Sequence, residues 1–135
     1  MMKKFEILEH IADLRIKAFG KNKKELFLNM LKAMAESQKA EARKEEIKRE
    51  INIKSLDLPA LLVDFLSEVL YLSHTNHEVY NNVKFIKFSD TELEAEISGH
   101  KVARFGEDIK AVTHHNLEIR QKKDGIWEVT VLFDI

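Results

Sequence analysis

The chain has 135 residues, a third of them charged, and its 22 Lys and Arg against 23 Asp and Glu leave a net charge of −1. It contains no cysteine, which excludes disulfides, thiolate metal sites and thiol catalysis. A domain that binds RNA or DNA directly usually has a clear basic excess, so strong direct nucleic-acid binding is not expected.

The length predicts one domain over residues 1–135, with a core that needs no disulfide to support it. The N-terminal stretch "MMKKFEILEH" has a basic start, but it lacks the long apolar region and the small-residue cleavage site of a signal peptide. No segment approaches the roughly 20 apolar residues of a membrane span. We therefore expect a soluble, cytoplasmic protein with no membrane partner.

The first part of the chain predicts two short strands and one helix. "FEILEH" and "DLRIKAFG" have the pattern of strands, separated at Ile11-Ala12. Asn22 is the predicted N-cap of the helix, with Glu25 three residues later. An apolar stripe at helical spacing follows, and it indicates core packing rather than a partner groove: Leu26, Phe27, Met30, Leu31 and Met34.

The middle of the chain predicts a connection, a strand and the main core helix. "SQKAEARKEE" has the composition of a charged connection, and "IKREINIK" alternates like a half-exposed strand. Asp57 is the predicted N-cap of the second helix, with Pro59 in its first turn. The helix has a broad apolar face made of Leu61, Leu62, Phe65, Leu66, Val69 and Leu70.

The remainder of the chain predicts strands alone. "VYNNVKFIKFSD" and "TELEAEIS" indicate a hairpin with a bulge at Phe85-Ile86, and "GHKVARFGED" indicates a loop. "IKAVTHHNLEIRQKK" predicts one long strand or two, and Asp124-Gly125 predicts a tight turn into the closing strand "WEVTVLFDI". The order β-β-α-β-α-β-β-β-β predicts an α+β fold, in which an antiparallel or mixed β-sheet packs against two main helices.

Several kinds of chemistry lack their motifs. The four glycines are too far apart for a phosphate-binding loop, and neither a nucleophile elbow nor a Ser-His-Asp grouping is evident. His74 and His77 fall at the end of the second helix, where imidazoles favour the helix dipole. His114 and His115 are adjacent and would face opposite sides of a strand, so a histidine zinc site is not expected.

Two aspartates are more informative than the histidines. Aspartate is disfavoured in strands, yet Asp13 opens one predicted strand and Asp134 closes another. One interpretation is that both are simply solvated. The other is that they join the terminal carboxylate or carbonyl of Ile135 in a cluster of hard oxygen ligands, which needs a cation such as Ca²⁺ or Mg²⁺. The second interpretation requires the two strands to be neighbours.

Four stretches resemble the archease family, in the family's order. "EHIADLRIKAFG" is similar to its opening motif and "LPALLVDFLSEVLYL" to its central helix. "IKAVTHHNLEI" resembles its Lys-Ala-Val-Thr-Tyr-His segment, and "DGIWEVTVLFDI" resembles its closing hairpin. Three positions depart from the pattern: Ile11 replaces the usual Thr, His114 replaces Tyr, and Phe65 replaces an aromatic that is commonly Trp.

The resemblance implies a protein cofactor for the GTP-dependent tRNA-splicing RNA ligase of the RtcB type, and not an enzyme in its own right. Archeases promote formation of the ligase's covalent guanylate on histidine, so that the ligase turns over repeatedly. The family's metal-binding positions map to Asp13, Asp134 and Ile135, and Lys110 maps to a contact with the partner or a phosphate. The implied cofactor is a divalent cation, Ca²⁺ first, with Mg²⁺ or Mn²⁺ as alternatives.

Two other functions stay open. A role as a chaperone-like modulator of a tRNA-modifying methyltransferase, also proposed for archeases, would depend on an apolar docking patch or on oligomerisation. A metal-dependent hydrolase would act through the same carboxylates, but no clear base or nucleophile accompanies them.

Overall fold

The computed structural model describes residues 3–8 and 13–135. Its elements are, in chain order, β1 (Phe5–Leu8), β2 (Asp13–Gly20), α1 (Lys23–Ser37), β3 (Ala40–Lys54), α2 (Leu58–Asn76), β4 (Glu78–Phe88), β5 (Glu92–Phe105), β6 (Ala111–Thr113), β7 (Arg120–Gln121) and β8 (Trp127–Asp134).

Both helices begin at the predicted caps. The Asn22 side chain accepts the backbone N–H of Glu25 at 2.8 Å, and the Glu25 carboxylate in turn accepts the backbone N–H of Lys21. Asp57 accepts the backbone N–H of Ala60 at 2.9 Å at the start of α2. Because the first N–H groups of a helix have no partner within it, these side chains fix where each helix starts.

The strands form two antiparallel sheets. Sheet A has the order β1-β2-β8-β6, and β7 also pairs with β8. Sheet B has the order β3-β5-β4. Every strand pairing among the described residues is antiparallel. The predicted α+β fold with two helices is confirmed, and the sequence pattern did not reveal that the strands divide between two sheets.

One hydrophobic core joins the two sheets and both helices. The predicted apolar faces of α1 and α2 are buried, and the rings of Phe27 and Phe65 lie with their centroids 5.8 Å apart. Sheet A contributes buried residues such as Ile16 and Val131, and sheet B contributes Ile97. The sulfur-containing stripe of α1 therefore packs in the core, as expected. No helix in the described part of the chain is long and apolar enough to cross a membrane.

Two predicted irregular segments are mostly strand. β3 begins at Ala40, within the segment taken as a charged connection, and β5 continues to Phe105, through the segment taken as a loop. These two ends pair with each other, with register shifts between Glu41 and Glu46. Because most side chains of β3 there are exposed, the sequence shows no alternation of apolar and polar residues that would indicate a strand.

Two predicted local features are confirmed. A register shift between Phe85 and Lys87 marks the bulge in β4. Gly125 closes the turn between β7 and β8 with a φ of 87°, and its N–H donates to the carbonyl of Lys122 at 2.9 Å. That backbone conformation favours glycine, which explains its place in the turn.

Candidate functional site

Asp13 and Asp134 lie directly opposite each other in sheet A. The register of β2 against β8 pairs Asp13 with Asp134 and, one step further in, Leu14 with Phe133. Leu14 and Phe133 are buried, so the core fixes this register. Directly opposed residues of antiparallel strands have Cβ atoms about 4.5–5.5 Å apart. β2 and β8 are therefore neighbours, as a cation site shared by Asp13 and Asp134 requires.

Lys110 lies at the same corner of the sheet. Its backbone N–H donates to the carbonyl of Asp134 at 2.7 Å, and the next residue, Ala111, pairs with Asp134 in the register of β6 against β8. Ile109, on the other side of Lys110, is completely buried. The segment is thus anchored by its backbone and by one core side chain, while the Lys110 side chain is exposed.

The two aspartates are charged groups without a cationic partner in the described part of the chain. Asp134 is exposed and Asp13 is half-buried. Within residues 3–8 and 13–135, neither carboxylate takes part in an ion pair or a side-chain hydrogen bond. Like charges directly opposite on a sheet repel, so this corner favours a bound positive charge. We call Asp13 and Asp134 the acidic pair.

The donor set suits a hard divalent cation that keeps open positions. Carboxylate and carbonyl oxygens are the ligands that Ca²⁺ and Mg²⁺ prefer. No group of three or more His, Asp or Glu side chains suited to a metal occurs in the chain as described, that is, outside residues 1–2 and 9–12. For such a cation the acidic pair would supply two side-chain ligands, and further oxygens would come from the main chain of Ile135, from water or from a partner.

One pair of histidines, His114 and His115, does not lie in a strand as predicted. His114 and His115 lie in a turn after β6 and not in a strand, and the carbonyl of His114 accepts the N–H of Leu117 at 3.2 Å. His74 lies in the last turn of α2 and His77 is its C-cap residue, as expected. His10 and Ile11, from the opening motif, lie outside the described residues.

Sequence reasoning missed a buried carboxylate in sheet B. The side chain of Glu78 in β4 is fully buried and forms two hydrogen bonds with Arg49 of β3, at 2.7 and 2.9 Å. Lys101 of β5 lies 3.0 Å away, and the hydroxyl of Tyr80 donates to the same carboxylate. Glu78 therefore connects all three strands of sheet B.

The environment of Glu78 keeps it ionised. Burial alone would raise the pKa of Glu78, but the hydrogen bonds from Arg49, Tyr80 and Lys101 outweigh it and lower that pKa to about 2. A signal was present in the sequence: Arg49 falls in step with Ile47, Ile51 and Ile53, on the apolar face of β3. A charged residue at such a position indicates a buried partner.

Glu128 is also buried, although it precedes the core residue Val129 in β8 and therefore lies on the opposite face of the strand. It is 4 % exposed and is covered by Arg120, whose Nε lies 2.8 Å away. Lys17 lies 3.5 Å from its other oxygen. Burial alone would raise the pKa of Glu128, but the contacts with Arg120 and Lys17 outweigh it and lower that pKa. Its charge is neutralised within the protein, whereas the acidic pair has no such contact with residues 3–8 or 13–135.

Comparison with known proteins assigns the family. The model of the Archease protein family (MTH1598/TM1083) matches residues 5–135. The chain belongs to the archease family. Curated relatives named protein archease include those of Methanosarcina mazei, 36% identical, and Methanosarcina barkeri, 34% identical, each alignment covering 98% of this chain and 97% of the relative. The protein archease of Thermococcus gammatolerans is 30% identical, with 99% of this chain and 100% of the relative covered.

Solved structures agree with this archease assignment. The solution structure of Methanobacterium thermoautotrophicum protein 1598 superimposes with a TM-score of 0.69 at 31% identity, covering 99% of this chain and 100% of the other. The crystal structure of an archease from Thermotoga maritima, described as a possible chaperone, gives a TM-score of 0.70 at 20% identity, covering 100% and 98%. The second likeness shows the shared fold.

Proposed function

We propose that this archease acts as a protein cofactor of the GTP-dependent tRNA-splicing RNA ligase. In this role it promotes guanylylation of the ligase and its multiple turnover, and it is not itself an enzyme. The observation that supports the proposal is the direct pairing of Asp13 with Asp134 at an exposed corner of sheet A, without a cationic partner among the residues described. The family assignment supports it as well.

We further propose that the acidic pair holds a divalent cation together with a main-chain oxygen of Ile135. Ca²⁺ is the first choice because it accepts several oxygen ligands in flexible geometry, and Mg²⁺ or Mn²⁺ are alternatives. When bound, the cation supplies positive charge that neutralises phosphate oxygens during transfer of a guanylyl group. The role of the aspartates is to hold that charge at the exposed end of two rigid strands.

Lys110 would act beside the acidic pair. The hydrogen bond from its N–H to Asp134 fixes the start of its side chain, and the exposed ammonium group is free to contact a phosphate or an acidic group of the ligase. Holding the aspartates at the ends of paired strands, with the backbone of Lys110 hydrogen-bonded to Asp134, favours reproducible positioning. Positioning dominates phosphoryl and nucleotidyl transfer.

The test is stimulation of the ligase by aspartate variants. We expect Asp13→Asn and Asp134→Asn each to lower multiple-turnover ligation by at least about tenfold, because loss of one of two charged ligands weakens cation binding. Both variants should stay folded, since these side chains contribute little to the core. Glu36→Gln, which removes an exposed carboxylate of α1, is the matched control. Normal guanylylation with both aspartate variants would overturn the proposal.

The chaperone-like modulation of a tRNA-modifying methyltransferase makes the opposite prediction. Large exposed hydrophobic side chains occur on separate segments of the described chain: Ile7, Leu56, Tyr71 and Ile86. This alternative is favoured over the cation-dependent role if Tyr71→Ser and Ile86→Ser variants no longer stimulate the partner enzyme while Asp13→Asn and Asp134→Asn still do.

A further inference from the structure

Arg15 lies on the outer face of sheet A, one row in from the acidic pair. In β2, Leu14 and Ile16 are buried toward the helices, so Arg15 points to the opposite face and is exposed. It shares this face with Asp13, two residues away along the strand, a separation of about 6.6 Å. Its partner in β8 is Leu132, which makes Asp134 its diagonal neighbour.

The guanidinium of Arg15 is not used to stabilise the fold in the described structure. Its neighbours across the sheet are Leu8 on one side and Leu132 on the other, and neither offers an anionic group. It forms no ion pair or side-chain hydrogen bond with any residue in 3–8 or 13–135, although the reach of an arginine includes the diagonal Asp134. Lys17, the next basic residue of β2, is instead paired with the buried Glu128.

We propose that Arg15 and the acidic pair together form a binding site for a cation-bound polyphosphate. The inference rests on the proposed function and adds a residue and a ligand class to that site. Arg15 contacts phosphate oxygens of the same ligand whose other oxygens meet the cation held by Asp13 and Asp134. The planar guanidinium matches the geometry of phosphate and binds it through two parallel hydrogen bonds.

The spacing favours a polyphosphate over other anions. The backbone positions of Asp13 and Arg15 are two strand residues apart, and a chain of phosphates carries oxygens over a comparable length. Because the acidic pair repels a free anion, the cation must be present for the polyphosphate to bind. The near-neutral net charge makes extended RNA a poorer match.

The experiment measures ligase guanylylation at increasing GTP, with each variant present at saturating concentration. We expect Arg15→Ala to raise the GTP concentration for half-maximal rate about tenfold and to leave the maximal rate unchanged, since one charge-assisted contact is lost. Arg15→Lys should recover part of that affinity. Ca²⁺ binding should not weaken in Arg15→Ala. Lys84→Ala, an exposed basic residue of sheet B, is the matched control.

The outcomes separate this inference from the proposed function. An unchanged GTP dependence with Arg15→Ala, alongside loss of stimulation with Asp13→Asn, would overturn the polyphosphate site alone. A lower maximal rate with an unchanged GTP requirement would also overturn it, because Arg15 would then contact the ligase rather than the phosphates. Full stimulation by Asp13→Asn would remove the proposed function, and this site with it.

Discussion

Replacing Glu78 by glutamine is expected to lower the free energy of unfolding by about 2 to 3 kcal/mol. The substitution keeps the shape of the side chain but leaves Arg49 and Lys101 without the carboxylate that they surround. Breaking a buried ion pair by removing one partner typically costs about 3–5 kcal/mol. We expect a smaller loss than that range because Arg49 and Lys101 are about one-third exposed, at 36% and 34%, and regain some hydration. Urea unfolding measures the difference, as a shifted midpoint with an unchanged slope.

The same carboxylate gives the stability a defined dependence on pH. Its folded-state pKa of about 2 lies below the ordinary value of 4.5, so its contribution is complete above about pH 4.5 and is lost as the pH falls toward 2. The wild type should therefore lose stability across that range, and Glu78→Gln should lose less. Glu92→Gln, which removes more exposed ion pairs with Lys54 and Lys87 in the same sheet, should cost under about 1 kcal/mol. Equal losses in the two variants would contradict this role for Glu78.

Replacing Gly99 by alanine is expected to destabilise the protein by about 3 kcal/mol, the upper end of the usual cost of overpacking. Gly99 lies in the middle of β5, paired with Ile47 on one side and Tyr80 on the other. A Cβ atom there would lie 1.8 Å from the carbonyl oxygen of Val79, and its next neighbours are also backbone atoms of β4. Because backbone in a paired strand cannot move aside as a side chain does, the clash would displace β4.

Thermal and urea unfolding would both report the effect at Gly99. Ser98→Ala is the matched control, since Ser98 is the preceding residue of β5 and its side chain is only half-buried. The control should change stability by no more than about 0.5 kcal/mol. An alanine at position 99 that leaves the unfolding midpoint unchanged would show that β4 and β5 approach less closely than described.

Local chemistry made the helices predictable. Asn22 and Asp57 satisfy N–H groups that no other part of the helix can satisfy, and this requirement is visible in a short stretch of sequence. The apolar residues of α1 and α2 recur at helical spacing because one side of each helix faces the core. The caps and the apolar spacing both involve residues only a few positions apart, so they can be recognised without knowledge of the tertiary structure.

The extent of β3 and β5 depended on contacts that are distant in sequence. Ala40 pairs with Phe105 across a separation that no local pattern reveals. The position of Arg49 indicated a buried partner, but no local pattern identified that partner as Glu78. Gly99 resembled a loop residue in the sequence, whereas its reason is the close approach of β4. Exposed charged residues of β3 carry no alternation to mark a strand, so the sequence understated its length.

The sequence identified the residues of the candidate site, but it did not show that they lie close together. Asp13 and Asp134 attract attention because aspartate is rare in strands, and the family resemblance adds Lys110 and Ile135. Their proximity depends on the pairing of β2 with β8, which is fixed by buried residues such as Ile16 and Val131. The sequence did not single out Arg15, because basic residues are common on the exposed face of a strand. Its proposed role becomes visible only when its neighbours in the sheet are known.

Titration of Ca²⁺ into the purified protein tests the central claim most directly. Calorimetry of the wild type, Asp13→Asn, Asp134→Asn and the Glu36→Gln control would be compared under the same conditions. The account predicts one calcium site in the wild type and the control, weakened at least about tenfold in each aspartate variant, and a Ca²⁺-dependent rise in Tm that those two variants lose. Equal binding by all four proteins, or no calcium, magnesium or manganese binding by the wild type, would contradict it.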